Sequence, residues 1–211
     1  DAIMRRTRNR PLVTGVLGAR EALVFAIGLE VVAFVWLWAF VNLLSAALAV
    51  AACLFYVFVY TLWLKRTSTS NIVIGGAAGA APVLIGWSAV TDSLGWAPVV
   101  LFAIIFFWTP PHFWALAIRY KDDYAAADVP MLPAVVSLRD TCVRILAYTV
   151  LVCALTIVLA PVADLGWIYV AIALVVDAVF LVMAVDVLRR PTTVRRHGAR
   201  PARPIRSLTL E

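Results

Sequence analysis

Charge is scarce in this sequence. Only 14% of its 211 residues are Asp, Glu, Lys or Arg, 64% are hydrophobic, and mean hydropathy is +0.97. That balance excludes an ordinary soluble domain. The three cysteines, Cys53, Cys142 and Cys153, all lie in apolar stretches without CxxC or CxxCH spacing. Buried thiols are therefore expected in place of a disulfide framework, a thiolate zinc site or covalently held haem. The net +6 is spread over short segments, and no basic groove with interleaved aromatics is present, which argues against a nucleic-acid partner. No internal repeat is found, and the sequence as given opens at Asp1 on what reads as a polar helix end, not on a signal or transit-type segment.

Long apolar runs are abundant. Six can be cut, at 21–38, 44–64, 72–90, 98–117, 141–162 and 165–188, each close to the ~20 residues that a helix needs to cross hydrocarbon. The gaps around Asn42, Asp92 and Asp164 hold no Lys or Arg. The other gaps and ends hold 17 of the 18, and the remaining one, Arg144, lies in the first turn of the fifth run, at the same end. This alternation follows the positive-inside rule, so it predicts an all-α, polytopic membrane bundle with its working loops in the cytoplasm. The expected location is a bacterial plasma membrane. Residues 1–190 are read as one intramembrane domain. Residues 191–211, rich in Arg and Pro, are read as a disordered basic tail suited to anionic lipid headgroups.

Three basic segments carry the chemistry. In DAIMRRTRNRPLVTG, Arg6 and Arg10 are spaced i, i+4 and share a face if the helix continues through them, with Asp1 about one turn before Arg5. A carboxylate beside guanidinium forks suits a metal-bridged diphosphate; the same arginines also serve as topology signals. In the second segment, Lys65 and Arg66 close one helix, and Ser70 or Asn71 is placed to cap the next. Gly75, Gly76, Gly79 and Gly86 thin that next helix, either for close packing through a GxxxG face or for a bulky ligand, and Pro82 kinks it.

The third segment is FFWTPPHFWALAIRYKDDYAAADVPMLP. At 100° per residue, Trp108, His112, Arg119 and Asp123 fall within about 60° if the helix survives Pro110 and Pro111. Polar groups so placed avoid lipid, so the stripe is expected to line a cavity. A lone intramembrane histidine is also compatible with a structural hydrogen bond. Glu30 and Asp177 sit mid-stretch, where a carboxylate is neutral, paired or facing a polar cavity. Glu21 and Asp186 need only interfacial pairing with Arg20 and Arg189.

At these segments the sequence resembles the protohaem IX farnesyltransferase (haem O synthase) branch of the UbiA superfamily of intramembrane prenyltransferases. The motifs are DAxMxRTxxRPL, then YTxxLKRxxxxNIVIGGAAGAxPxLIGW, then WTPPHFWALAxxxxxDYxxAxVPMLP. The resemblance covers about residues 1–190 and implies a helical bundle of nine spans around a central cavity. It implies transfer of farnesyl from farnesyl diphosphate to a vinyl group of haem b, giving haem O and diphosphate. Mg2+ would be the metal, on Asp1 and Asp123. Arg6, Arg10, Lys65 and Arg119 would bind diphosphate. Asp123, Tyr124 and His112 would serve the chemistry, with His112 and Trp108 on the haem side. Trp108, Trp114 or Tyr60 would shelter an allylic cation. Haem-handling or oxidase-assembly membrane proteins are the partners this implies.

The match starts inside the first acidic motif and lacks the family's ninth helix, so a chain cut at both ends is expected. Its second acidic motif also departs from DxxxD, since Asp122 and Asp123 are each followed four residues on by alanine. Two rivals remain open. One is a superfamily relative acting on a quinone precursor or other aromatic acceptor. The other is a multipass transporter, which would show an inverted repeat and a midplane site.

Overall fold

A computed structural model describes Thr7, residues 9–121, Tyr124 and residues 130–189, the side chain of Arg66 excepted. Hydrocarbon leaves backbone groups no partner but one another, so apolar runs of this length wind into helices. Six such helices are present among the described residues: α1 (Ala19–Phe40), α2 (Leu43–Leu64), α3 (Asn71–Thr91), α4 (Trp96–Arg119), α5 (Leu138–Val162) and α6 (Trp167–Arg189). Each border lies within three residues of the one read from the sequence. The chain forms an all-α integral membrane protein.

The helices pack in chain order, each against its sequence neighbours. Among the described residues, no other pair of the six makes more than a marginal contact. Short connections at one end (Val41 and Asn42, 92–95, 163–166) force antiparallel neighbours. The longer connections carry the Lys and Arg side chains at the other, basic end. The principal core cluster also lies at the basic end: Trp114, Ile118, Leu132, Cys142 and Ile145, with Val73, Tyr148 and Leu188 packed against it. Helix α1 buries no residue.

Several local devices differ from those expected. The second half of α2, Phe55–Leu64, is a π-helix, and Thr61 Oγ1 donates to the Tyr56 carbonyl five residues back at 2.8 Å. Neither Ser70 nor Asn71 caps α3. Ser70 has its own N–H taken by Ser68 Oγ at 3.1 Å, and Asn71 lies inside the helix and is buried. Glu21 accepts the Gly18 N–H at 3.1 Å, so it closes the start of α1 in addition to any interfacial pairing.

Polar side chains fasten the apolar helices together. At the far end, Asn42 Nδ2 donates to the Ser88 carbonyl at 2.7 Å, and the Ser45 and Ser88 hydroxyls meet at 2.7 Å, tying α2 to α3. Between α5 and α6, Thr156 Oγ1 donates to Asp177 Oδ2 at 2.6 Å, and Tyr169 Oη donates to the Thr156 carbonyl at 2.9 Å. Asp177 is thus paired inside the bundle. Glu30 is half-buried on α1, beside Cys53 of α2.

Thr156→Val leaves the buried Asp177 carboxyl without that donor and is expected to cost about 1–2 kcal/mol. Thr91→Val, whose hydroxyl serves only its own chain segment, should stay within roughly 0.5 kcal/mol of the parent. Thermal unfolding in detergent compares the two.

Candidate functional site

Helix α3 brings its neighbours close because two consecutive residues lack side chains. A Cβ on Gly76 would stand 3.2 Å from Thr109 Cβ and Cγ2 and 3.4 Å from the Phe106 carbonyl oxygen. Phe106 is the residue whose carbonyl Pro110, having no N–H, leaves without its helical donor. The glycine leaves room for α3 to pack close to that carbonyl. Helix α4 runs unbroken through Pro110 and Pro111, both buried. A Cβ on Gly75 would collide with the Tyr60 ring, at Cδ2 and, at 2.7 Å and 3.0 Å, Cε2 and Cγ.

The expected GxxxG pair does not act as a pair. Gly75 is covered by Tyr60, whereas Gly79 and Gly86 meet nothing within 4 Å. Gly79, Pro82 and Gly86 form an exposed thin strip on one side of α3.

On α4, the Trp108 and His112 rings stack at 4.4 Å and 17°, and Phe113 meets His112 edge-on at 5.4 Å. Helical side chains lean toward the N-terminus, so His112 lies over the turn that bears Trp108. Trp108 is 38% exposed and His112 is exposed. Among the described residues the imidazole makes ring contacts and no hydrogen bond. The α4 stripe and the α3 strip each lie about a quarter turn, in the same rotational sense, from the α3–α4 contact. Antiparallel helices mirror each other across such a contact, so both open surfaces fall on one side of the row.

Depth follows from the same contact. Gly76 is level with Thr109, and Tyr60 with Gly75, so Tyr60, Trp108 and His112 lie within roughly 6 Å of depth at 1.5 Å per residue. Lys65 stands about one turn nearer the basic end, and Arg119 about 10 Å beyond His112. Both are exposed, as is Arg10. The Arg119 guanidinium lies 6.0 Å from the centre of the Tyr120 ring. Tyr124 comes close enough to Tyr60 for the phenols to interact electrostatically. The arrangement offers cations at the surface, aromatic faces below them and a thin apolar strip below those.

The structure therefore gathers His112, Trp108, Tyr60, Lys65, Arg119 and Tyr124 toward one end of the bundle. Asp1, Arg6 and Asp123 lie outside the described residues. Trp114 does not belong with the open aromatics. It sits about 120° round the helix from Trp108, 2% exposed, edge-on to Tyr148 of α5 at 5.4 Å. Among the described residues, no three metal-ligating side chains cluster. The described part of the site thus fits the anionic end of a diphosphate and supplies no donor set for Mg2+. Asn71, 1% exposed with neither amide atom hydrogen-bonded, is a polar group that a capping assignment hid; its sequence context carries no signal of burial. A hollow of about 360 Å³ along α6, lined by Leu181, Val185, Asp186 and Arg189 among others, shares no residue with this site.

Gly76→Ala is expected to destabilise by about 1–3 kcal/mol through overpacking. Gly79→Ala, into open space, should be neutral or stabilise by up to about 1 kcal/mol. Paired unfolding curves in detergent decide it, and equal losses would refute the division of roles between the two glycines.

Comparison with known proteins bears on the chemistry. Residues 1–200 match the UbiA prenyltransferase family. A protein of a Parafrankia species named protoheme IX farnesyltransferase is 57% identical over 184 residues, which cover 87% of this chain and 59% of that relative. Its namesake in Mycolicibacterium smegmatis is 56% identical over the same coverage. Another in Mycobacterium tuberculosis is 50% identical over 210 residues, all of this chain and 65% of the relative. The chain thus spans about three-fifths of these relatives' length. No solved structure matches.

Proposed function

Because the chain belongs to the UbiA prenyltransferase family, we propose that it carries most of the site of a protohaem IX farnesyltransferase, which joins farnesyl diphosphate to haem b to give haem O and diphosphate. The observation that carries this reading is the Trp108–His112 stack, open on the same side and at the same depth as Tyr60, one turn or more below the exposed cations. The relatives' name supplies the substrates.

Lys65, Arg119, Arg10 and Arg6 receive the diphosphate. Charge-assisted contacts from such groups strengthen as the bridging C–O bond breaks and charge collects on the leaving oxygen. The electron pair leaves with diphosphate, and an allylic cation remains at the level of the aromatic rings. The faces of Tyr60 and Trp108 stabilise it, and the apolar surroundings keep bulk water away. The haem vinyl carbon supplies electrons to form the new C–C bond. One water adds at the resulting cationic carbon, leaving the hydroxyl and releasing a proton. His112, whose ring nitrogens no described residue engages, is assigned to the haem side. Tyr124 sits beside Tyr60 at the edge of the acidic motif. Mg2+, assigned to Asp1 and Asp123, neutralises diphosphate charge when bound. The thin strip at Gly79, Pro82 and Gly86 lies where the isoprenoid tail would run.

By the positive-inside rule the basic end faces the cytoplasm of a bacterial plasma membrane. Haem-handling membrane proteins are the partners this location favours.

The test uses membranes carrying a chain completed to the relatives' length. Haem O should form only with farnesyl diphosphate, haem b and Mg2+ together. Lys65→Ala should raise KM for farnesyl diphosphate about tenfold, the equivalent of one charge-assisted contact. His112→Ala should lower kcat/KM for haem by at least about tenfold. Prenylation of a quinone precursor with haem left unreacted would move the assignment to another acceptor. Substrate movement without Mg2+ would favour transport.

A further inference from the structure

We propose that Gly75 is a positioning residue for prenyl transfer, acting through Tyr60; the inference rests on the prenyl-transfer reading above. Tyr60 sits late in the π-helical segment Phe55–Leu64. Closing hydrogen bonds at i+5 turns each residue through a smaller angle than α winding does, so the later side chains of the segment point elsewhere than an α-helix would send them. The winding carries the Tyr60 ring onto α3, and the ring can lie there only because residue 75 has no Cβ. The three nearest atoms that a Cβ would meet all belong to the Tyr60 ring.

Glycine at this position has no other local explanation. Its backbone is helical, and Gly15 is the glycine with positive φ among the described residues. Close approach of α3 to α4 is met by the adjacent Gly76. Inside a helix glycine also costs about 0.5–1 kcal/mol relative to alanine. The ring also meets Tyr56, tilted across it at 5.4 Å. At 100° per residue, residue 75 falls within about 40° of Gly79, Pro82 and Gly86, so a methyl there would push the ring outward over the face that α3 shares with Trp108 and His112, where the proposed reading places the allylic carbons.

Gly75→Ala should therefore reduce kcat at least tenfold while KM for farnesyl diphosphate changes less than about twofold, since the cations that hold diphosphate are untouched. The decisive comparison is a double-mutant cycle with Tyr60→Ala. If Gly75 acts only through the ring, Gly75→Ala/Tyr60→Ala has the kcat of Tyr60→Ala alone, because alanine at 60 removes the collision. Independent roles would instead multiply the two losses. The double variant relieves the clash and so keeps the comparison available if Gly75→Ala alone does not fold.

Full kcat in a folded Gly75→Ala, a parallel loss in kcat and KM, or multiplicative losses in the cycle would each overturn the proposal. A parent protein that prenylates no acceptor would instead overturn the functional reading on which it stands.

Discussion

The close approach of α3 to both of its neighbours governs the rest of the molecule. Residues 75 and 76 are successive on a helix and therefore point about 100° apart. Glycine at both lets one helix take the Tyr60 ring of α2 on one side and the Phe106–Thr109 turn of α4 on the other. In lipid there is no hydrophobic drive between helices, so association depends on packing and on polar contacts. Small residues bring backbones close enough for that packing to count. The two prolines of α4 contribute at the same level. Pro110 strips the Phe106 carbonyl of its helical donor, and the missing side chain at Gly76 leaves room for α3 beside it.

Polar groups divide between two tasks by position. At the end away from the basic residues, Asn42, Ser45 and Ser88 satisfy one another and neighbouring carbonyls. Thr156, Asp177 and Tyr169 do likewise between α5 and α6. These groups are consumed in holding helices together. Near the basic end, by contrast, His112 is committed only to ring stacking, and Lys65 and Arg119 remain exposed. Groups left over from structural bonding at one end, aligned with aromatic faces, have the chemical variety that a charged head on an apolar tail requires.

The sequence made the spans and their alternation legible because both are written in composition. Hydrocarbon thickness sets the length of each run, and loop charge sets its sense. The Trp108, His112 and Arg119 stripe was legible because helical periodicity fixes which residues share a face. What a wheel omits is which neighbour covers that face. Trp114 looked as suitable as Trp108 until α5 proved to bury it. Gly75 and Gly79 looked like one packing face until the first proved to lie under Tyr60 and the second to be open. Asn71 looked like a cap because capping and buried asparagines have the same local sequence. The π winding of Phe55–Leu64 was illegible for a related reason, since no composition rule separates i+4 from i+5 closure in a run of aromatic and β-branched residues.

A transporter and a prenyltransferase can share cytoplasmic positive charge and proline-interrupted helices, so those features alone do not separate them. The distribution of polar groups does. Alternating access needs a substrate site near mid-membrane, reachable in turn from both faces, and a pair of repeats that rock about it. Here Asn42, Ser45 and Ser88 are taken up in bonding α2 to α3 toward the far end. The groups of the candidate site run from the aromatic level to the basic end. A one-ended site suits a substrate whose head is too charged to enter hydrocarbon and whose tail is too apolar to leave it. Such a molecule need only be held across the interface while its bond at the boundary is broken. On the proposed reading, that boundary falls at the depth of Tyr60, Trp108 and His112, beneath the cations and above the thin strip of α3.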